Sequence, residues 1–351
     1  MEREQVRNPF KKIFRMLSPL TQRRWKAFFA QKRAWFGLTG FLVVFFFSMS
    51  SELWSNSKPL VMKREGKWYF PALKTYPVET FGITDSFVVD YRELVKSDRA
   101  AGKEGFAIFP VNSWDPFEQT SDVMTGPSRV HWLGTDSLGR DVAARLIYGL
   151  RVSLSYGILF WLACFMIGVV VGCVQGYFAG SLDFFTERLK ELIEILPFLS
   201  VVILINGLMK SDSFWVTLFV VVLLSWVGIA SQLRAQVLSI RNREFCEAAR
   251  AAGARNGRII FSHVLPNALT PILTLTPFSI SGGITTLAVL DYLGFGLAPP
   301  TPSLGELLSQ GRAYIQNAPW LLIAPTVALS GLLISINLIG ESLRQAFDPR
   351  R

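Results

Sequence analysis

Six stretches of the chain, 34–51, 152–182, 195–209, 213–233, 264–290 and 313–340, contain no Asp, Glu, Lys, Arg or His. The hydrocarbon core of a bilayer is crossed by about 20 mostly apolar residues in a helix. Five of the stretches reach or approach that length. The third is short, but Leu192 and Ile193 carry its apolar character past Glu194. Lipid offers no hydrogen bonds to backbone, so spans of this kind must be helical. The chain therefore reads as an all-α polytopic membrane protein with six transmembrane helices. A soluble bundle with six such stretches is disfavoured: only 18% of the residues are charged, against about 25% in ordinary soluble domains. The first run does not read as a cleaved leader, because a long basic segment precedes it and no small-x-small cleavage pattern follows.

The formal charge of +10 could point to nucleic acid, but its distribution argues for a membrane surface. Residues 1–33 carry ten Lys or Arg against two acids, and 234–258 carry six Arg. Residues 55–150 balance twelve bases with twelve acids. Basic residues beside span ends mark the cytoplasmic side. Six spans threaded from a cytoplasmic N-terminus place 55–150 outside, a Glu187–Lys190 turn inside and a 210–213 turn outside. Residues 244–266 then lie inside, 291–312 outside and the C-terminus inside. The expected layout is a basic arm with an interfacial helix over 1–33, the first span over 34–54, a periplasmic insertion over 55–150, a five-span core over 151–343 with a loop at 241–264, and a tail over 344–351. Of three cysteines, none lies in the insertion, so no disulfide framework is implied.

Within the arm, Ser18-Pro19 reads as a cap followed by Pro at the first helical position. Trp25, Phe28 and Phe29 among Arg23, Arg24, Lys26, Lys32 and Arg33 predict a helix lying on the inner membrane surface, apolar side down. In the insertion, "KPLVMKREGKWYFP" predicts a hairpin around Glu65-Gly66 and "DYRELVKSDRAAGK" a short amphipathic helix, which makes it a small α+β unit. The fifth run, "LPNALTPILTLTPFSISGGITTLAVL", is expected to be irregular. Pro266, Pro271, Pro277 and the pair Gly282-Gly283 each weaken a helix. Freed backbone at membrane depth is tolerated against protein or a water-filled cavity. Asn206, Ser279, Ser281, Thr285 and Asn337 are therefore candidates for a translocation path, although Asn206 and Asn337 also suit plain interhelical hydrogen bonding.

Carriers driven by ions or protons usually keep a charge at depth, because that charge couples the fluxes. None falls in the six runs. There is no phosphate-binding loop and no local nucleophile-base or metal-ligand arrangement. A chain lacking its own energy source needs an external engine. Standalone carriers, channels and membrane-embedded enzymes are the competing classes.

The polar stretch "EFCEAARAAGARNGRIIFSHVLP" supplies a docking face. Phe245, Ala248, Ala249 and Ala252 fall on one helical face by spacing. Glu247 lies near the helix start, where negative charge is favoured, and Gly253 suits a left-handed helix end. A second short helix is expected over 256–264.

These residues resemble the cytoplasmic loop of ABC-importer permeases, which carries E-A-A, three residues, G, nine residues, then I-x-L-P. Glu247, Ala248, Ala249, Gly253, Leu265 and Pro266 stand at those positions, with His263 where the general pattern has Ile, as in the oligopeptide/dipeptide branch. "HWLGTDSLGRDVAARLIYGLRVSL", "LGFGLAPPTPSLGELL" and "GESLRQAFDPR" also resemble that branch, and the insertion resembles importers of peptides and microcin C. The resemblance implies a type I importer permease in the bacterial inner membrane and a coupling helix at 244–266. It also implies a second, B-type permease, an ABC ATPase carrying ATP and Mg, and a periplasmic substrate-binding protein. No cofactor or metal on this chain and no nucleic acid are implied. In "GTDSLGRD", Asp136 can cap a helix with Arg140 paired at i+4. Gly134, Thr135, Asp136, Arg140 and Asp141 are candidates for external docking.

Overall fold

A computed structural model describes residues 19–82, 89–102, 105–209 and 213–347. The expected Ser18 cap, the turn at 210–212 and the tail beyond residue 347 lie outside these. Helix α1 (Pro19–Phe29) precedes the first span, α2 (Lys32–Met49), and a single turn, α3 (Ser51–Trp54). Pro19 opens α1, as expected. On α1, Phe28 is buried against Ala34 and Ala346, and Phe29 is exposed.

The insertion is a small α+β unit. Strands β1 (Val61–Arg64) and β2 (Lys67–Tyr69) form the expected hairpin, with Glu65 and Gly66 both at positive φ. β3 (Gly105–Ile108) pairs antiparallel with the other edge of β1, giving the order β2-β1-β3. Helix α4 (Tyr91–Ala100) is capped by Asp90 and packs Tyr91 and Leu94 onto Met62 and Phe81.

The long helix α5 (Val142–Phe178) begins ahead of the apolar run. At 1.5 Å per residue its 37 residues reach about 55 Å, well beyond the hydrocarbon core. Its first turns hold Arg145 and Arg151, which pair with Glu306 and Glu52. The expected Glu187–Lys190 turn is instead part of helix α6 (Gly180–Ile195). The chain bends by 81° between α6 and α7 (Phe198–Met209). Leu196 is extended there because it precedes Pro197. The fourth span runs from α8 (Phe214–Ser225) through α9 (Val227–Ile240), together long enough to cross a membrane.

The 244–266 region holds α10 (Glu244–Ala251), α11 (Asn256–Ile259) and a π-helical turn, Ile260–Val264. The fifth span is broken as expected. It bends by 57° between the segment Asn256–Leu273, which includes α12 (Leu265–Leu273), and α13 (Thr276–Tyr292), where Pro277 restarts the helix. Gly282-Gly283 does not break it. Gly283 is a contact residue, since a Cβ there would fall 2.5 Å from the Phe160 ring. After α14 (Leu304–Ala313), α15 (Trp320–Phe347) forms the last span. Among the described residues, four helices qualify as spans by length and composition, and counting each bent pair as one span brings the number to six.

Among the described residues, three of the apolar clusters that join the spans each link four or more elements. Leu154, Ile284, Leu304 and Leu332 join α5, α13, α14 and α15. Tyr156, Val202, Val221 and Leu287 join α5, α7, α8 and α13. Cys173, Val237, Cys246, Ile259 and Ala268 join α5 and α9 to the 244–266 region and α12.

Candidate functional site

Helix α10 is a compact knob with two different sides. Cys246 is fully buried and Ala249 packs beside it on the cluster below. Phe245, Glu247, Ala248, Ala252 and Gly253 are exposed. Of the four residues expected on one face, Phe245, Ala248 and Ala252 are therefore open to solvent, and Ala249 is half-buried at the edge. The helix ends as expected at Gly253, with φ +81°. Gly253 N–H donates to Arg250 O at 2.9 Å and Ala254 N–H to Ala249 O at 3.0 Å, the paired bonds of a Schellman end. Only a residue tolerant of positive φ fits there.

The knob is fastened to two spans at once. Tyr177 Oη donates to Asn256 Oδ1 at 3.1 Å, and Arg250 Nη2 donates to Arg241 O at 2.7 Å. Arg241 Nη1 reaches back to Tyr177 O at 3.1 Å. Downstream, the π turn leads directly into Leu265 and the exposed Pro266 at the start of α12. π turns interrupt the regular helix ladder and often mark functional positions. His263 lies on this turn, its ring 6.5 Å from that of Phe245, while its carbonyl accepts from Asn267 Nδ2 at 2.7 Å. Burial pushes the Cys246 thiol above its ordinary pKa, with Arg250 pulling weakly the other way. Thiolate is the reactive form. All three cysteines are buried. Maleimide is accordingly expected to label none of them in the folded protein and all three after denaturation, as read by intact mass. Rapid labelling of Cys246 in the folded protein would contradict the packing described.

The path candidates do not converge. A cavity of about 430 Å³ opens between α5, α9 and the fifth span, with Ser279, Gly282 and Thr286 on one wall and Ser225 and Gln232 on another. Of the five candidates, Ser279 lines it. Asn206 is buried and donates to Phe295 O at 3.0 Å, which is a packing role. Ser281 is buried, Thr285 donates to Ser281 O at 2.9 Å, and Asn337 is exposed on α15.

The external docking candidates are placed differently from their expected role. Gly134, Thr135, Asp136, Arg140 and Asp141 are all buried, so their side chains offer a partner little to touch. Asp136 caps a turn instead of a helix. It accepts from the backbone of Leu138 and Arg140 at 2.9 Å each, and pairs with Arg140 as expected. The helix cap is Asp141, which accepts from Ala144 N–H at 2.7 Å, from Asn112 Nδ2 at 2.9 Å, and contacts His131 Nδ1 at 2.9 Å.

Two charge networks were not foreseen. Arg140 and Arg145 share Glu306 from α14 and Asp136 from the loop before α5. On the side of the 244–266 region, Lys190 is buried with Glu187 at 2.7 Å and Ser231 at 2.9 Å, and Arg234 grips Asp183 through two bonds of 2.5 and 2.7 Å. Lys190 is a charge inside the helical body, yet it is neutralised locally and lies apart from the 430 Å³ cavity lining.

The fifth span is broken, a cavity opens beside it and the knob is tied to its entrance. The chain belongs to the family described as binding-protein-dependent transport system inner membrane component, whose sequence profile matches residues 168–351. It is a multi-pass inner-membrane component and a transport subunit, not an enzyme. The inner membrane ABC transporter permease protein YejE of Escherichia coli is 39% identical over 338 residues, covering 95% of this chain and 98% of that protein. The peptidoglycan transport system permease protein YejE of Agrobacterium fabrum is 38% identical, covering 95% of this chain and 94% of that one. The dipeptide transport system permease protein DppC of Alkalihalophilus pseudofirmus is 34% identical, covering 66% and 75%.

Proposed function

We propose that this chain forms half of the membrane pathway of an ATP-driven importer for peptides or peptide-like compounds. Its partners are a second, similar permease, cytoplasmic ATPase subunits carrying ATP and Mg, and an external substrate-binding protein. Both termini lie on the cytoplasmic side. The observation that carries this reading is the two-sided knob. Phe245, Ala248 and Ala252 are open while Cys246 and Ala249 are sunk into the packing of α5, α9 and α12. Small exposed side chains let another surface approach closely. Because the knob is bonded to the ends of α5 and α9 and is continuous with α12, a push on it moves span ends rather than bending a loop. Glu247 and Gly253 shape and end this helix and have no chemical role. Ser279 and the hydroxyl-bearing wall around it offer hydrogen bonds without charge, which suits cargo recognised through its backbone.

The test places a bulky cation on the open face. The variant Ala248→Arg is expected to fold and reach the membrane, yet to lose co-purifying ATPase and peptide uptake together. Uptake is measured with a panel of peptides of graded length. Intact ATPase association and uptake in this variant would remove the docking role. Uptake of amino acids or sugars but no peptides by the wild-type complex would remove the substrate assignment.

A further inference from the structure

Beside the knob lies a second cleft, of about 530 Å³, which shares Phe245 with the docking face and otherwise lies outside it. It is bounded by α1, the end of α9, the start of α10, α12 and the end of α15. Three guanidiniums line it, Arg24, Arg243 and Arg344, beside the apolar Ile240, Phe245 and Phe347. No Asp or Glu lines it. Among the described residues, none of the three arginines takes part in an ion pair, and neither do the nearby exposed acids Glu244 and Glu341. Arg24 is held in place, its guanidinium 5.1 Å from the centre of the Phe347 ring, and Trp25 packs edge-on to the same ring at 6.3 Å.

Three guanidiniums without an ion-pair partner line one cleft, and an anion bound there would neutralise them. The height of the cleft limits which anion fits. Its walls are the terminal turns of two spans, the entrance of a third, and a basic-aromatic helix at the foot of the first, which is the level of lipid headgroups. The lining is amphiphilic, with guanidiniums next to Phe and Ile, matching a phosphate carried on a glycerol and acyl chain. The geometry points to a binding site for the phosphate of an anionic phospholipid, held by Arg24, Arg243 and Arg344 between the N-terminal helix and the knob. A lipid there touches α1, α10 and α15 together and ties the position of the knob to membrane composition. An acidic patch of a partner protein is the competing occupant. It would satisfy the charges but leave the apolar wall without a match.

The full importer complex is reconstituted in nanodiscs of phosphatidylcholine with or without phosphatidylglycerol, and retained lipid is counted by native mass spectrometry. Wild type is expected to retain phosphatidylglycerol selectively. Arg24→Gln with Arg344→Gln should weaken that retention about twenty-fivefold, roughly fivefold for each guanidinium. Equal retention by wild type and the double variant overturns the proposal. So does displacement of the lipid by millimolar inorganic phosphate, which would make the site one for small anions. Loss of ATPase from the double variant in phosphatidylcholine alone, with no response of wild type to phosphatidylglycerol, would assign the cleft to protein contact. If the double variant does not assemble, photoreactive phosphatidylglycerol and phosphatidylcholine are compared on wild type. Crosslinks to 236–245 and 344–347 from the anionic probe only support the site, and equal crosslinking overturns it.

Discussion

Glu306→Ala is expected to destabilise the protein by about 3–5 kcal/mol, the range for leaving one partner of a buried ion pair uncompensated. Arg140 and Arg145 are 1% and 0% exposed. With Glu306 gone, two buried guanidiniums share the single carboxylate of Asp136, which lies 2.7 Å from Arg140 and 3.7 Å from Arg145. Arg145 keeps only carbonyl partners otherwise, Pro116 at 3.1 Å, Pro300 at 3.3 Å and Thr301 at 3.5 Å. Those bonds offset little of the cost of an unpaired buried charge. The control removes the same charge from an exposed pair. Arg188 and Glu191 have side chains 61% and 46% exposed, and Glu191→Ala should change stability by under about 1 kcal/mol. Thermal unfolding of the purified complex in detergent compares the two. Equal small shifts would mean that water reaches the Arg140–Arg145–Glu306 network and that it does not lock the insertion to the spans.

That network also shows where sequence reasoning stopped. Charges served as the boundaries of the apolar runs, so Arg145, Arg151 and Lys190 fell outside the expected spans. Lys190 pairs with Glu187 within its own helix, but Arg145 and Arg151 are inside a helix because a distant residue neutralises each, and Glu306 stands 161 positions from Arg145. No local pattern reports such a partner. The same limit explains Asp136 and Asp141. Both precede the helix and both can cap, and which one does so depends on Arg140 already occupying Asp136. By contrast, the hairpin at Glu65-Gly66, the helix at 91–100 and the knob ending at Gly253 were legible, because each rests on contacts within a few residues. The break at Pro277 was legible for the same reason. Gly282-Gly283 was misread because Gly283 receives the Phe160 ring across a helix interface, a contact set by packing, while Gly282 lines the cavity.

The largest effect on assembly is expected from Gly172→Leu. Gly168, Gly172 and Gly176 recur every fourth residue and form a groove along α5 into which α9 settles. A Cβ at residue 172 would lie 2.4 Å from Ala230 O and 3.0 Å from Ala230 Cα. Those are backbone atoms and cannot rotate away, so the two helices must separate. At Gly176 the nearest atoms are Val237 Cβ at 2.8 Å and Arg234 O at 2.9 Å, so the flanking turn has no slack either. Overpacking of side chains costs about 1–3 kcal/mol. Displacing one backbone from another should exceed that, and the gain of about 1 kcal/mol in helix propensity on losing a glycine does not offset it. Gly331 in the last span has nothing within 4 Å of its Cβ position, and Gly331→Ala should be neutral or mildly stabilising. Gly172→Leu should yield no monodisperse complex by gel filtration, and Gly331→Ala a normal one. The milder Gly172→Ala tests the functional side of the crossing. Arg241, at the end of α9, holds Tyr177 O on α5, and the knob hangs from both, so a small shift there should reduce peptide uptake before it abolishes folding. Wild-type uptake with Gly172→Ala, together with normal assembly of Gly172→Leu, would mean that α5 and α9 can slide apart without cost and that the knob does not act through their crossing.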